Sequence, residues 1–228
     1  MKIALTRSTI NHLLYLIAKD YKKQNKANPD CEVILVGGAS ILLNYDFRTE
    51  TTDIDSIIRA SSTFKEIANK IGDEYHLPNG WINTDFIQTK SYSSKLIEHS
   101  KFYKKFYGCL SVRTVSAEYL VAMKLKSLRV YKHDLSDVIG IIKEQEEFQN
   151  PISFEAIDSA YRELYNESMS KEAVDFLTEV FASNSLSDLF YETIDEESEN
   201  KRALIQAEEK YANDITEDNV DSFLKHFR

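Results

Sequence analysis

Residues Glu32-Val33-Ile34-Leu35-Val36 form a short, almost wholly apolar run that stops at Gly37-Gly38. Such a run fits a strand buried on both faces, and Ala39 to Tyr45 behind it suits the start of a helix. The glycine pair therefore marks a strand-to-helix turn. The chain has only six glycines and three prolines, so two glycines side by side need a reason. Glycine permits a tight turn and close approach of the backbone to a ligand. The amides of a new helix N-terminus favour an anion, and Ser40 adds a hydroxyl. The plainer alternative is a turn with no ligand. Neither Gly-Lys-Ser/Thr nor a third glycine follows, which excludes a Walker loop and a dinucleotide fingerprint.

Around this turn the pattern alternates. Thr6 to Lys26 has apolar residues Ile10, Leu13, Leu14 and Ile17 at helical spacing, and Asn28-Pro29-Asp30 breaks it. Thr52 to Ile58 reads as a strand, Ser62 to Ile71 as a helix, and Phe106 to Val115 as one further strand. From Ser116 the helical period dominates almost to Arg228. These elements predict an α+β (α/β-like) fold, a small mixed sheet flanked by helices with a C-terminal helical extension. Pro151 suggests a boundary that divides the chain into 1–149 and 150–228.

Composition narrows the class. The 228 residues suffice for a substantial core, and 43% hydrophobic with 11% aromatic residues argues against global disorder. A net charge of −9 excludes a globally basic nucleic-acid coat. No apolar run approaches a membrane span, so no membrane partner is expected. Met1 to Ala18 lacks the features of a signal peptide. Cys31 and Cys109 are isolated, so a reduced cytoplasm is the expected location.

Asp53-Ile54-Asp55 follows the glycine pair after 14 intervening residues, Ala39 to Thr52. On a strand, residues i and i+2 share a face at roughly 6–7 Å. Two carboxylates so placed repel each other unless a cation lies between them, and they suit Mg²⁺ as oxygen ligands. A solvated strand face is the alternative, because acids cluster elsewhere, as in Asp195-Glu196-Glu197.

Val36-Gly37-Gly38-Ala39-Ser40, with Arg48, a threonine and Asp53-Ile54-Asp55, resembles the signature of DNA polymerase beta-type nucleotidyltransferases. It is most similar to a small bacterial group related to abortive-infection and toxin-antitoxin systems. The resemblance implies a nucleoside triphosphate substrate bound by Gly37, Gly38, Ser40 and Arg48, with Mg²⁺ (or Mn²⁺) on Asp53 and Asp55. It also implies a third acid on a later strand. Trp81-Ile82-Asn83-Thr84-Asp85 is similar to the family's Trp-Leu-Asn segment, which makes Asp85 the candidate and Asn83 the alternative. The competing reading leaves Asp85 a loop acid and Trp81 a core residue.

Helical geometry adds an independent clue. If Ser116 to Lys132 is a helix, Ala117, Leu120, Val121, Leu125 and Leu128 form one stripe with Lys124 in its middle. A lysine there either snorkels to the edge or faces an acid or a phosphate. By resemblance Lys124 contacts the phosphates or the acidic site, where stabilising charge on the transferring phosphoryl group is the main catalytic demand. Lys132 to Asp137 resembles the family's Lys/Arg-Asp-x-x-Asp segment, but Asp134 and Asp137 also suit caps for a helix from Leu135 to Glu147. His133 reads as a surface residue.

Charge is unevenly spread. Lys101 to His133 holds eight basic residues and the single acid Glu118, with Phe102, Tyr103, Phe106 and Tyr107 interleaved. That mixture suits either an RNA acceptor or an ordinary solvated face with core aromatics. Asp188 to Asp221 carries twelve acids against three bases, which reads as a solvated helical face or a dock for a basic partner. The leading expectation is a metal-dependent nucleotidyltransferase. It moves a nucleoside monophosphate from a triphosphate to an acceptor hydroxyl on RNA, protein or a small molecule, with Asp53, Asp55, Asp85 and Lys124 catalytic. The alternatives are an inactive nucleotide- or RNA-binding module of the same fold, and a helical adaptor.

Overall fold

The computed structural model describes residues 4–211, 219–220 and 224. Of the acidic C-terminal stretch, Asp214, Glu217, Asp218 and Asp221 lie outside the described residues. The order is α1 (Arg7–Gln24), β1 (Cys31–Leu35), α2 (Gly37–Asn44), β2 (Ile54–Arg59), α3 (Thr63–Glu74), β3 (Ile82–Asn83), β4 (Ser100–Phe106), β5 (Leu110–Val115), α4 (Ala117–Ser127), α5 (Asp134–Glu147), α6 (Phe154–Tyr165), α7 (Lys171–Ala182) and α8 (Leu186–Tyr211). Two short 3-10 helices, Asp85–Gln88 and Ser94–Ile97, link β3 to β4. The mixed α/β architecture is the predicted one.

The five strands lie in the order β3-β2-β1-β5-β4. β1 is antiparallel to β2 and parallel to β5, β2 is parallel to β3, and β4 is antiparallel to β5. The apolar run supplies the central strand, and its two faces feed two cores. Val33 and Leu35 join α1 and α3, while Ile34 and Val36 join α4 and α5. That split is the period of two of a strand buried on both sides. The second core is continuous from Ile34 to Ile157, Leu177 and Phe190, so the helices after Pro151 share it. Among the described residues no helix is long and apolar enough to cross a membrane.

Two boundaries differ from expectation. The region read as one strand from Phe106 is a hairpin, because Tyr107 and Gly108 both take positive φ (45° and 70°). Two consecutive left-handed residues match the twist of a tight hairpin turn. The helix read from Ser116 to Lys132 ends at Ser127, where Leu128 adopts φ 47° and closes the last turn by donating to the Lys124 carbonyl. The chain then loops through Arg129 to His133 before α5, and that loop borders the site described next.

Candidate active site

A cleft of about 910 Å³ opens beside the glycine turn, the start of β2, the α4–α5 loop and one face of α8. Gly38, Arg48, Asp53, Asp55 and Lys124 all line it. The strand-to-helix turn is as predicted. Gly37 begins α2 with φ 52°, in the left-handed region that favours glycine. The Val36 amide donates to the Asp55 carbonyl at 3.0 Å, which ties the turn to β2. A Cβ on Gly37 would lie 3.7 Å from Asp55 Oδ2, so the carboxylate stands directly over the turn.

Gly38 has a different reason to be small. A Cβ there would meet Arg48 Nη2 at 2.9 Å and Thr51 Oγ1 at 3.0 Å. Arg48 is laid over the turn and held from the other side by Asp137, whose oxygens accept from Nη1 at 2.7 and 2.6 Å. The loop carrying Arg48 is anchored by the buried Glu144, which accepts from the Asp46 and Phe47 amides.

Asp53 is exposed and Asp55 is half-buried, one on each side of Ile54. Burial and then the neighbouring Asp53 carboxylate push the Asp55 pKa up. A hydrogen bond with Asn83 and the charges of Lys124 and Arg129 oppose that shift. The pair thus concentrates negative charge that Asn83, Lys124 and Arg129 offset only in part. Its donor set fits Mg²⁺, a hard cation held by one or two carboxylates plus substrate phosphates.

Two expected site residues lie outside the cleft lining. Ser40 is fully buried, and its hydroxyl accepts from the Val115 amide at 3.1 Å, which fastens α2 to β5. It does not line the cleft, so its hydroxyl is not presented to a phosphate there. Asp85 opens a 3-10 helix, exposed and outside the cleft lining, because the chain leaves β3 after two residues. Asn83, the alternative, stands in register beside Asp55. Trp81 is a core residue whose indole donates to the Ala68 carbonyl at 3.0 Å. Among the described residues no group of three or more His, Cys, Asp or Glu is placed to hold a metal.

Lys124 faces acids. Its Nζ lies 2.8 Å from Asp134 and 2.7 Å from Asp137, both almost wholly buried. Burial favours the neutral amine, but the two carboxylates outweigh it and hold the pKa above the ordinary lysine value. Burial likewise opposes the charged form of Asp134, yet Lys124 and Arg129 hold its carboxyl well below the usual range. The capping expected of Asp134 and Asp137 is therefore corrected. They sit in the first turn of α5, but their side chains bind Lys124, Arg129 and Arg48.

The cap comes instead from α8. Glu197 is 2% exposed and accepts from the Leu135 and Ser136 amides and from the Ser136 hydroxyl. Burial pushes its pKa up to about 8, against the Ser136 and Leu135 hydrogen bonds. Sequence reasoning passed over Glu197, although Phe190, Thr193, Glu197, Asn200, Leu204 and Ala207 form one buried helical stripe.

The basic segment is not one patch. Lys101, Lys104 and Lys105 are exposed on the edge strand β4 with Phe102, which is 61% exposed, while Phe106 is buried. Lys124 and Arg129 are in the cleft network, and Lys126 pairs with Glu167.

Neither a curated protein nor a solved structure gives a match to this chain. One family model does match, over residues 12–187, and its description is nucleotidyltransferase of unknown function (DUF6036). That span includes the glycine turn, Asp53, Asp55 and the whole Arg48–Asp137–Lys124–Asp134–Arg129 network, so the chain belongs to this family of nucleotidyltransferases.

Proposed function

We propose that the protein is a metal-dependent nucleotidyltransferase of the DNA polymerase beta type, transferring a nucleoside monophosphate from a triphosphate to an acceptor hydroxyl. The observation that carries this reading is Asp55 standing over the Gly37–Gly38 turn in an open cleft that Asp53 also lines. Family membership supports the reaction type. Asp53 and Asp55 hold Mg²⁺ or Mn²⁺, and the glycine turn brings backbone amides up to the phosphates. The bound cation supplies charge stabilisation for the transferring phosphoryl group. Arg48 and Lys124 act as positioning residues, because their charges are engaged by Asp137 and Asp134. Their network keeps the glycine turn, the loop from Tyr45 to Asp53 and α5 in one arrangement. Cys31 and Cys109 are both free and buried, which fits a reducing, cytoplasmic setting.

A second reading is favoured by one feature. Asn83, an amide, stands beside Asp55 where a third carboxylate would complete the acidic set. It makes the chain a nucleotide-binding module without transfer. Incubating the protein with each labelled nucleoside triphosphate, Mg²⁺ and cell extract decides between them. Transfer of label to RNA, protein or a small molecule, lost in the Asp53→Asn/Asp55→Asn double variant, supports the enzyme. Label that stays on the nucleotide, with Mg²⁺-independent binding, supports the module. Growth arrest on expression of the wild type, and not of the double variant, tests a toxin role.

A further inference from the structure

Almost all of α8 lies beyond residues 12–187, yet this helix forms one wall of the cleft with Glu197, Ser198, Lys201, Leu204, Ile205 and Glu208. Its docking is specific. Glu197 caps α5, the Asn200 side chain donates to the Val130 carbonyl at 2.9 Å, and Leu204 is buried with Tyr131, Val220 and Leu224. These contacts lie four and one residues before Lys201 and three after it. About one helical turn, roughly 6 Å along the α8 axis, separates Lys201 from Glu197, the residue that caps α5.

Three cations elsewhere in the cleft already have carboxylate partners. Arg48 is held by Asp137, Lys124 by Asp134 and Asp137, and Arg129 by Asp134. Lys201 is exposed, and no ion pair or hydrogen bond engages it among the described residues. A polyphosphate carries more negative charge than one divalent cation offsets, which leaves a demand for a further cation in the cleft.

We propose that Lys201 of α8 and His133 of the α4–α5 loop form a phosphate subsite in the cleft that Asp53 and Asp55 share. The ligand is a phosphate group, carried either by the donor triphosphate or by the acceptor. His133 lines the same cleft from the α4–α5 loop, with its Nδ1 3.7 Å from Glu197. Desolvation first, and then the cations Arg48, Lys124 and Lys201, lower its pKa against Asp137, so His133 enters the subsite as a neutral hydrogen-bonding group beside the Lys201 charge. The subsite rests on the nucleotidyltransferase reading and extends it to a segment outside the matched family region.

The experiment is isothermal titration of the full chain with inorganic tripolyphosphate in Mg²⁺, using wild type, Lys201→Gln, Lys201→Arg and Arg202→Gln. Arg202 is exposed on the same helix but does not line the cleft, so its variant controls for net charge. A charge-assisted contact predicts at least a tenfold or so loss of affinity in Lys201→Gln. Lys201→Arg retains most of the binding, and Arg202→Gln matches wild type. A second arm titrates adenosine monophosphate into protein saturated with a non-hydrolysable triphosphate analogue. Loss in the tripolyphosphate arm assigns the subsite to the donor, and loss in the second arm alone assigns it to the acceptor. Equal affinities of Lys201→Gln and wild type in both arms overturn the subsite and leave the nucleotidyltransferase reading standing. A wild type that binds neither tripolyphosphate nor the analogue overturns both.

Discussion

Replacing Lys124 with methionine keeps most of the side-chain volume and removes one charge from between two buried carboxylates. Asp134 is 1% exposed and Asp137 2% exposed, so neither can turn to water for compensation. Each keeps one guanidinium, Arg129 for Asp134 and Arg48 for Asp137. Removing one partner of a buried ion pair typically costs 3–5 kcal/mol. The remaining arginines place the expected loss for Lys124→Met near the lower end, about 3 kcal/mol. That is a large part of a total stability of roughly 5–15 kcal/mol. Urea unfolding followed by the fluorescence of Trp81, a buried core residue and the sole tryptophan, measures it as a shift in midpoint at unchanged slope. Lys124→Met combined with Asp137→Asn should cost less than the sum of the single changes, because each single change strands the other's charge. The pH dependence has a definite sign. Asp134 is held below its ordinary value of 3.8, so its contribution is present above that pH and disappears as pH falls through the folded value. The gap between wild type and Lys124→Met should therefore narrow on acidification. A cost under about 1 kcal/mol, with additive single and double variants, would refute the view that Lys124 is the counter-ion of these acids.

Asp55→Asn should raise the melting temperature of the metal-free protein while abolishing transfer. Its pKa is raised by burial and Asp53, so the carboxylate contributes stability only while protonated and loses it as pH rises through the folded value. An unchanged or lower melting temperature at neutral pH contradicts this. Ser40→Ala strands the Val115 amide and should cost about 1–3 kcal/mol, with transfer per folded molecule retained. A specific loss of triphosphate affinity would instead return Ser40 to the substrate. For Glu197, burial lifts the pKa from 4.5 to about 8, so its share of stability is lost as pH rises across that interval. Glu197→Gln should accordingly gain on wild type between pH 4.5 and 8 in thermal scans, and parallel curves across that range would contradict the raised pKa.

Much of the site was legible because its signals are local. The apolar run at Val33 to Val36 buries both faces as its composition requires, and the glycines after it make the turn that Gly37's positive φ demands. Lys124 on an apolar stripe had either to snorkel to the edge or to face an acid or a phosphate, and it faces two acids. The identity of those partners was not legible from spacing alone. Asp134 and Asp137 look the same in sequence whether they cap α5 or neutralise Lys124, and the cap is supplied by Glu197 from more than sixty residues away. The stripe argument that singled out Lys124 applies equally to Glu197 among Phe190, Thr193, Asn200 and Leu204. The position of Asp85 outside the cleft lining was hidden for a related reason. Strand β3 is only two residues long, and its register sets Asn83 beside Asp55.

From sequence alone, then, come the class of fold, the central strand, the glycine turn, the aspartate pair and the need for a counter-charge at Lys124. These follow from periodicity and from the cost of burying polar groups, both properties of a segment and its immediate neighbours. Only the tertiary structure decided which charges meet. It spent Arg48 and Lys124 on Asp137 and Asp134, turned Ser40 into the core, left Asp85 outside the cleft and brought α8 across it. Pairing depends on how sheet register and helix docking bring distant residues within a few ångströms, and no local pattern carries that information.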